Sequence, residues 1–216
     1  MSGEEKHSII RLKPKVSPDK ILAGFPWVYD NELVLDRRTK QLTSGKIVEL
    51  QDSARNFLAT AVVNPKSKIF ARVITKTANK IGGSELVFKR ISAAKALREG
   101  IFTDPYYRLI NSEADQMPGT IIDRFGDFFV IQPNSVWAEN NLDNITDALV
   151  ELFNPEGIIK NANSRARTLE GLDDCSLLIH GSVPTTPLQV PMNGAIYMAD
   201  LNYGQKTGLF YDQRLN

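Results

Sequence analysis

A single cysteine, Cys175, occurs among 216 residues, so no internal disulfide can form, and the composition suits a reducing compartment, the cytoplasm by default. It lies in Asp173-Asp174-Cys175-Ser176, beside two carboxylates, a poor setting for an anionic thiolate, and is expected to be structural. Histidine is almost as scarce. His7 and His180 have no spacing that makes a metal set or a triad, and a Gly-x-Ser-x-Gly nucleophile elbow is missing, so neither metal nor serine chemistry is expected. The apolar runs, such as residues 128–131, fall far short of the roughly 20 residues that span a bilayer. With an acidic start at Met1-Ser2-Gly3-Glu4-Glu5, neither a signal peptide nor a membrane segment is expected. None of the 14 glycines stands two residues from another, which excludes the Gly-x-Gly-x-x-Gly dinucleotide loop.

What is present is a chain with 42% apolar residues, enough for one large or two small cores. The net charge of +1 hides a strong asymmetry. Residues 1–100 hold 19 Lys plus Arg against 10 Asp plus Glu, or +9, whereas residues 101–216 hold 7 against 15, or −8. A basic first half fits a polyanion partner, because each neutralised phosphate releases condensed counterions; the alternative is an ordinary solvated surface.

Alternation in Lys46-Ile47-Val48-Glu49-Leu50 predicts a half-buried strand, broken by the turn Gln51-Asp52-Ser53-Ala54-Arg55-Asn56. Residues 57–63 and 69–75 are short and β-branched, and a small β-barrel is expected over about 8–80. The small polar stretch 77–84 marks a domain boundary. Ile91, Ala94, Leu97 and Ile101 recur at helical spacing, predicting an amphipathic helix over 88–102 that connects two domains, with Lys89, Arg90, Lys95 and Arg98 off its apolar stripe. Strands at 120–125 and 128–132 flank Gly126-Asp127, a pair suited to a two-residue turn. Leu142, Ile145, Leu149 and Leu152 define a second helix, stopped by Asn154-Pro155-Glu156-Gly157. Further strands are expected at 157–161, 176–180 and 195–201. The order strand, strand, helix, strand, strand predicts an α+β second domain.

Three stretches of the first region, Gly24-Phe25-Pro26-Trp27-Val28-Tyr29, Ser44-Gly45-Lys46-Ile47-Val48-Glu49-Leu50 and Lys66-Ser67-Lys68-Ile69-Phe70-Ala71-Arg72-Val73, together resemble a PUA domain. This is a small RNA-binding β-barrel of the kind that opens RlmI-like large-subunit ribosomal RNA methyltransferases. Phe25 stands where that family commonly has histidine, and Ser53-Ala54-Arg55-Asn56 lacks the family's turn glycine. Trp27 is expected to pack in the core, and the RNA-facing candidates are Arg37, Arg38, Lys66, Lys68 and Arg72.

Residues 107–124, from Tyr107-Arg108-Leu109 through Pro118-Gly119 to Asp123-Arg124, are similar to the family's central-domain signature. Arg108, Glu113, Asp115 and Asp123 are expected to form a structural charge network there; three nearby carboxylates also permit acid/base chemistry or a divalent ion. Arg165 and Arg167, in Asn163-Ser164-Arg165-Ala166-Arg167, resemble the family's arginine-containing turn and are candidates for RNA phosphate or for intradomain bridges to Glu170 or Asp173.

The stretch Gly204-Gln205-Lys206-Thr207-Gly208-Leu209-Phe210-Tyr211-Asp212-Gln213-Arg214 resembles the lead into the family's methyltransferase domain. It makes Lys206, Phe210, Asp212 and Arg214 candidates for contact with S-adenosyl-L-methionine (SAM).

The resemblance thus implies an N-terminal PUA-type barrel at 1–80, a central α+β domain with its linking helix at 81–205 and the start of a methyltransferase domain at 206–216. The Rossmann-like methyltransferase domain itself is expected to be absent from the chain, and with it every catalytic residue. The implied function is RNA binding and substrate orientation for a SAM-dependent ribosomal RNA cytosine-C5 methyltransferase, without activity alone. The alternatives are a stand-alone PUA-type RNA-binding protein or part of another RNA-modifying enzyme.

Overall fold

Residues 8–78 and 83–201, with Leu209 and Tyr211, are described by the computed structural model, and the chain divides into two units, Met1–Gly82 and Gly83–Asn216. In the first unit, alternation builds the core. Strand β1 (Ser8–Arg11) turns Ile10 inward, the short helix α1 (Asp19–Leu22) turns Ile21 inward, and β2 (Trp27–Val28) does the same with Val28. Helix α2 (Arg37–Lys40) buries Thr39 alone. Strand β3 (Ile47–Gln51) alternates with Val48 and Leu50 inside, while β4 (Phe57–Val63) is buried almost throughout and β5 (Ala71–Thr75) completes the sheet.

The strand order is β1-β3-β4-β5-β2, with β1 parallel to β3 and the other pairs antiparallel. A bridge between Leu12 and Leu33 returns the chain after β2 to the chain after β1, and both leucines are fully buried. The 3-10 turn Asp30–Glu32 sets up this return.

The second unit opens with α3 (Ser84–Glu99), which packs against β6 (Tyr106–Asn111) and a later helix. A meander follows through β7 (Thr120–Phe125) and β8 (Phe128–Pro133), and the two-residue turn Gly126-Asp127 pairs Phe125 with Phe128. Helices α4 (Val136–Asn140) and α5 (Leu142–Phe153) cross over to β9 (Gly157–Lys160), parallel to β8; α6 (Arg165–Glu170) then leads to β10 (Leu177–Gly181), antiparallel to β9. The sheet order is β10-β9-β8-β7-β6. A separate hairpin, β11 (Leu188–Met192) and β12 (Ala195–Ala199), packs Val190, Met192 and Ala199 against Phe125, Val130 and Ile159.

This architecture corrects the expected strand, strand, helix, strand, strand order: the second unit holds a five-stranded mixed sheet and a two-stranded hairpin. Strand β6 escaped detection because its register shifts between Arg108 and Ile110, which breaks the alternation that marks a strand. The segment over 195–201 is one arm of the hairpin rather than a strand of the main sheet. Its partner β11 was concealed by Pro191, which lacks a ladder donor.

The first helix is corrected as well. It runs from Ser84 to Glu99, buries Val87, Arg90, Ile91 and Ala94, and leaves Leu97 55% exposed, while Ile101, 61% exposed, lies beyond its end. A stripe at three-residue spacing, as in Ile91, Ala94 and Leu97, drifts around a helix of about 3.6 residues per turn, so Leu97 faces solvent and Arg90 faces in. Desolvation pushes the Arg90 guanidinium down to about 10. Among the described residues no helix is long and apolar enough to cross a membrane.

Candidate nucleic-acid interface

Asp36 caps α2 by accepting hydrogen bonds from the Thr39 amide (2.7 Å) and hydroxyl (2.8 Å). Those two donors hold the Asp36 carboxyl below its usual range. The cap locks Thr39 inward and leaves Arg37, Arg38 and Lys40 in solvent.

The turn between β4 and β5 works on the same plan. Asn64, Ser67 and Phe70 are buried, and Asn64 is tied through its amide to the Phe70 carbonyl (2.8 Å) and through its carbonyl to the Ser67 amide (3.0 Å). Lys66 and Lys68 are left exposed between these anchors. The Asn64 side chain also accepts from the Ser44 hydroxyl (3.0 Å) and the Lys66 amide (3.2 Å), so the segment after α2 and the Lys66–Lys68 turn share one anchor.

Arg72 differs from these four. It lies on β5 opposite Trp27, is 9% exposed, and sets its guanidinium carbon 5.8 Å from the centre of the Trp27 ring. Trp27 itself is only half-buried.

In the second unit Arg165 opens α6 and is exposed, whereas Arg167 is 1% exposed. Arg167 donates to the Asp173 and Pro133 carbonyls and to Glu139 (2.7 Å), so its donors serve the fold rather than an external phosphate. Lys160 bonds the other Glu139 oxygen. Burial alone would raise the Glu139 carboxyl, but the two cations hold it below its ordinary value.

The carboxylates of the 107–124 stretch separate into pairs. Arg108 forks onto the fully buried Asp123 (2.9 and 3.2 Å), its partner across β6 and β7. Asp115 takes a bidentate contact from Arg98 (2.8 and 2.7 Å) and accepts the Asn111 amide (2.6 Å). Glu113 accepts from Ser112 (2.5 Å). Sequence reasoning did not foresee Arg98 as the partner of Asp115; its place near the end of a helix that packs on β6 was the available signal.

Arg124 donates to the Tyr107 hydroxyl (2.9 Å) and faces the Phe153 ring at 4.9 Å, while burial pushes the Tyr107 phenol up against the opposing effect of Arg124. Gly119, at φ +66°, is required: a Cβ there would meet the Ser135 Cβ at 2.4 Å. Among the described residues no group of three His, Cys, Asp or Glu is placed to hold a metal ion. Cys175 is exposed.

Lys206, Phe210, Asp212 and Arg214 lie outside the described residues. Between them, Tyr211 packs on Phe125 with ring centres 5.2 Å apart and donates to the Arg124 carbonyl (3.0 Å), which places Tyr211 itself against β7.

The class of the first unit is now defined: residues 10–76 match the family model of the PUA-like domain. More particularly, over 197 residues the chain is 35% identical to ribosomal RNA large subunit methyltransferase I of Vibrio vulnificus strain CMCP6, covering 90% of this chain and 49% of the relative. The protein of the same name from Aliivibrio fischeri strain MJ11 is 32% identical over 192 residues, 88% of this chain and 48% of the relative. The resemblance to the RlmI-like group therefore extends over nine tenths of the chain. A solved chain from Streptococcus mutans, assigned as a SAM-dependent methyltransferase, superposes with a TM-score of 0.78 at 21% identity, covering 96% of this chain and 52% of its own. A second solved structure, assigned as a methyltransferase and complexed with SAH, gives 0.77 at 20% identity, covering 97% and 52%. The expectation of an absent methyltransferase domain gives way to a plainer fact: the chain spans about half the length of the curated relatives it matches.

Proposed function

We propose that these 216 residues bind and orient RNA for a SAM-dependent methyltransferase of large-subunit ribosomal RNA, with cytosine C5 as the position methylated, and do not transfer methyl by themselves. The observation that carries the reading is the presentation of Arg37, Arg38, Lys66 and Lys68. All four are exposed, Arg37 and Arg38 on the helix that Asp36 caps and Lys66 and Lys68 on the turn anchored by Asn64, inside a unit that matches a PUA-like domain. Exposed cations held this way neutralise phosphates without reading bases, so they supply affinity and register. Arg165 is a further phosphate candidate, Arg72 acts through Trp27, and Arg167 is left out because it is buried and bonded.

The relatives' name supports ribosomal RNA as the substrate class, and the bound SAH of the second solved structure supports SAM as the methyl donor. SAM would supply an electrophilic methyl group. Its contact with Lys206, Phe210, Asp212 and Arg214 rests on the family resemblance.

The test is a titration of a fluorescently labelled ribosomal RNA fragment at 100 mM KCl against the wild-type chain and the R37E/R38E/K66E/K68E variant. At least a ten-fold loss of affinity in the folded variant is expected, and retained affinity would remove RNA from this face. Calorimetric titration with SAM alone should show no saturable heat; tight binding would overturn the assignment of transfer to chemistry outside these residues.

A further inference from the structure

The run from Phe25 to Tyr29 carries an aromatic side chain at every second position. Extended backbone alternates its side chains, so Phe25, Trp27 and Tyr29 share one side, while Val28 faces the core and is fully buried. Gly24, at φ +108°, makes the reversal out of α1 that starts this run and returns the Phe25 amide to the Lys20 carbonyl (2.8 Å).

The row is at the surface. Phe25 is 39% exposed, and Trp27 and Tyr29 are half-buried. Strand β2 is also the outer strand of its sheet, so the row lies along an edge. Core packing leaves a phenyl ring covered; here the ring at the tip is the most open of the three.

Cations surround the row. The Lys20 ammonium lies 5.2 Å from the centre of the Phe25 ring and 5.7 Å from that of Tyr29 while pairing with Glu32, and Arg72 lies over Trp27. Lys76 is exposed and is tied to the Leu22 carbonyl at the end of α1 (2.6 Å). Phe25 and Trp27 meet edge to face, with centres 6.0 Å apart and planes at 76°. The two rings thus form a corner in which Phe25 is the more exposed wall and the indole the other.

We infer that this aromatic corner stacks an unpaired RNA base on Phe25, with the exposed Lys76 placed for a flanking phosphate and Lys20, paired with Glu32, bracing the rings. The inference rests on the RNA-binding reading above and adds a second, base-dependent contact to the phosphate contacts of Arg37, Arg38, Lys66 and Lys68. Single-stranded nucleic acid suits the chemistry: aromatic faces accept any base, and the neighbouring cations match the phosphodiester charge. A protein partner would need a larger apolar area than one exposed phenyl ring provides.

The two contributions separate experimentally in the full chain. The probes are a labelled eight-nucleotide single-stranded RNA and the same strand carrying abasic sites, which keeps the phosphates and removes the bases. Phe25→Ala should weaken binding of the intact strand roughly ten-fold and leave the slope of log K against log salt unchanged. Phe25→Tyr should restore affinity. The abasic strand should bind wild type and Phe25→Ala alike. In a Trp137→Phe background, where Trp27 is the sole tryptophan, the intact strand should quench indole fluorescence and the abasic strand should not. If the intact strand binds but Phe25→Ala binds equally well, or the abasic strand binds wild type as tightly, stacking is overturned and the phosphate reading stands. If wild type binds neither strand, both fall together.

Discussion

Arg55 holds a left-handed backbone, φ +73°, in the turn between β3 and β4, where the resembling family has a glycine. The turn is fixed by Asp52, whose carboxylate accepts the Asn56 amide and side chain, each at 2.8 Å; these bonds keep the carboxyl below its usual range. The conformation costs a non-glycine residue about 1 kcal/mol. Arg55→Gly should therefore raise the thermal midpoint by a few degrees, and Arg55→Ala should not. Thr120 poses the opposite problem: its hydroxyl is fully buried and finds no acceptor among the described residues. Thr120→Val, which keeps the shape and removes the polar atom, should stabilise the chain by about 1 kcal/mol in urea unfolding. Glu139 sets a pH dependence. Its folded pKa lies below its ordinary 4.5, so its stabilisation is present above that value and is lost as pH falls through the folded pKa. Glu139→Gln should flatten the stability loss below about pH 4.5 when unfolding is followed from pH 6 to 3, and an unchanged acid limb would argue against this linkage.

At the scale of elements, α2 is one turn of helix, and its Asp36 cap decides its geometry. Asp36→Ala should lower the thermal midpoint; it should also lower RNA affinity, because the cap orients Arg37 and Arg38, whereas Asp36→Asn should retain both properties. Elements whose signal is local were legible in sequence. The alternation of β3 and the Gly126-Asp127 turn are settled by neighbouring residues, and the structure has both. The Asn193-Gly194 turn was equally readable yet unread: both residues have positive φ, 54° and 77°, as a primed two-residue turn requires. Elements decided by distant contacts were not legible. Strand β6 carries a register slip, and the buried face of α3 is chosen by β6 and α5 rather than by spacing along the helix. The same limit applied to the site: exposure of Lys66 and Lys68 follows from the anchor at Asn64, and burial of Arg167 follows from acceptors on Pro133, Glu139 and Asp173.

Across the whole molecule, the charge difference persists when it is counted by unit: residues 1–82 hold 15 Lys plus Arg against 8 Asp plus Glu, or +7, and residues 83–216 hold 11 against 17, or −6. The first unit exposes cations on α2 and the β4–β5 turn, whereas Arg98, Arg108, Arg124 and Arg167 of the second are engaged by carboxylates, carbonyls or rings. Composition identified which half is basic, but only the fold shows which cations remain available. A surface of this kind binds a polyanion mainly through counterion release, which makes salt the sharpest probe. The decisive measurement is the affinity of the wild-type chain for a large-subunit ribosomal RNA fragment from 50 to 300 mM KCl. A linear fall of log K with log salt, with a slope of about −3 or steeper for four phosphate contacts, is the predicted result. No measurable binding at 50 mM, or an affinity indifferent to salt, would contradict the assignment of this chain to RNA.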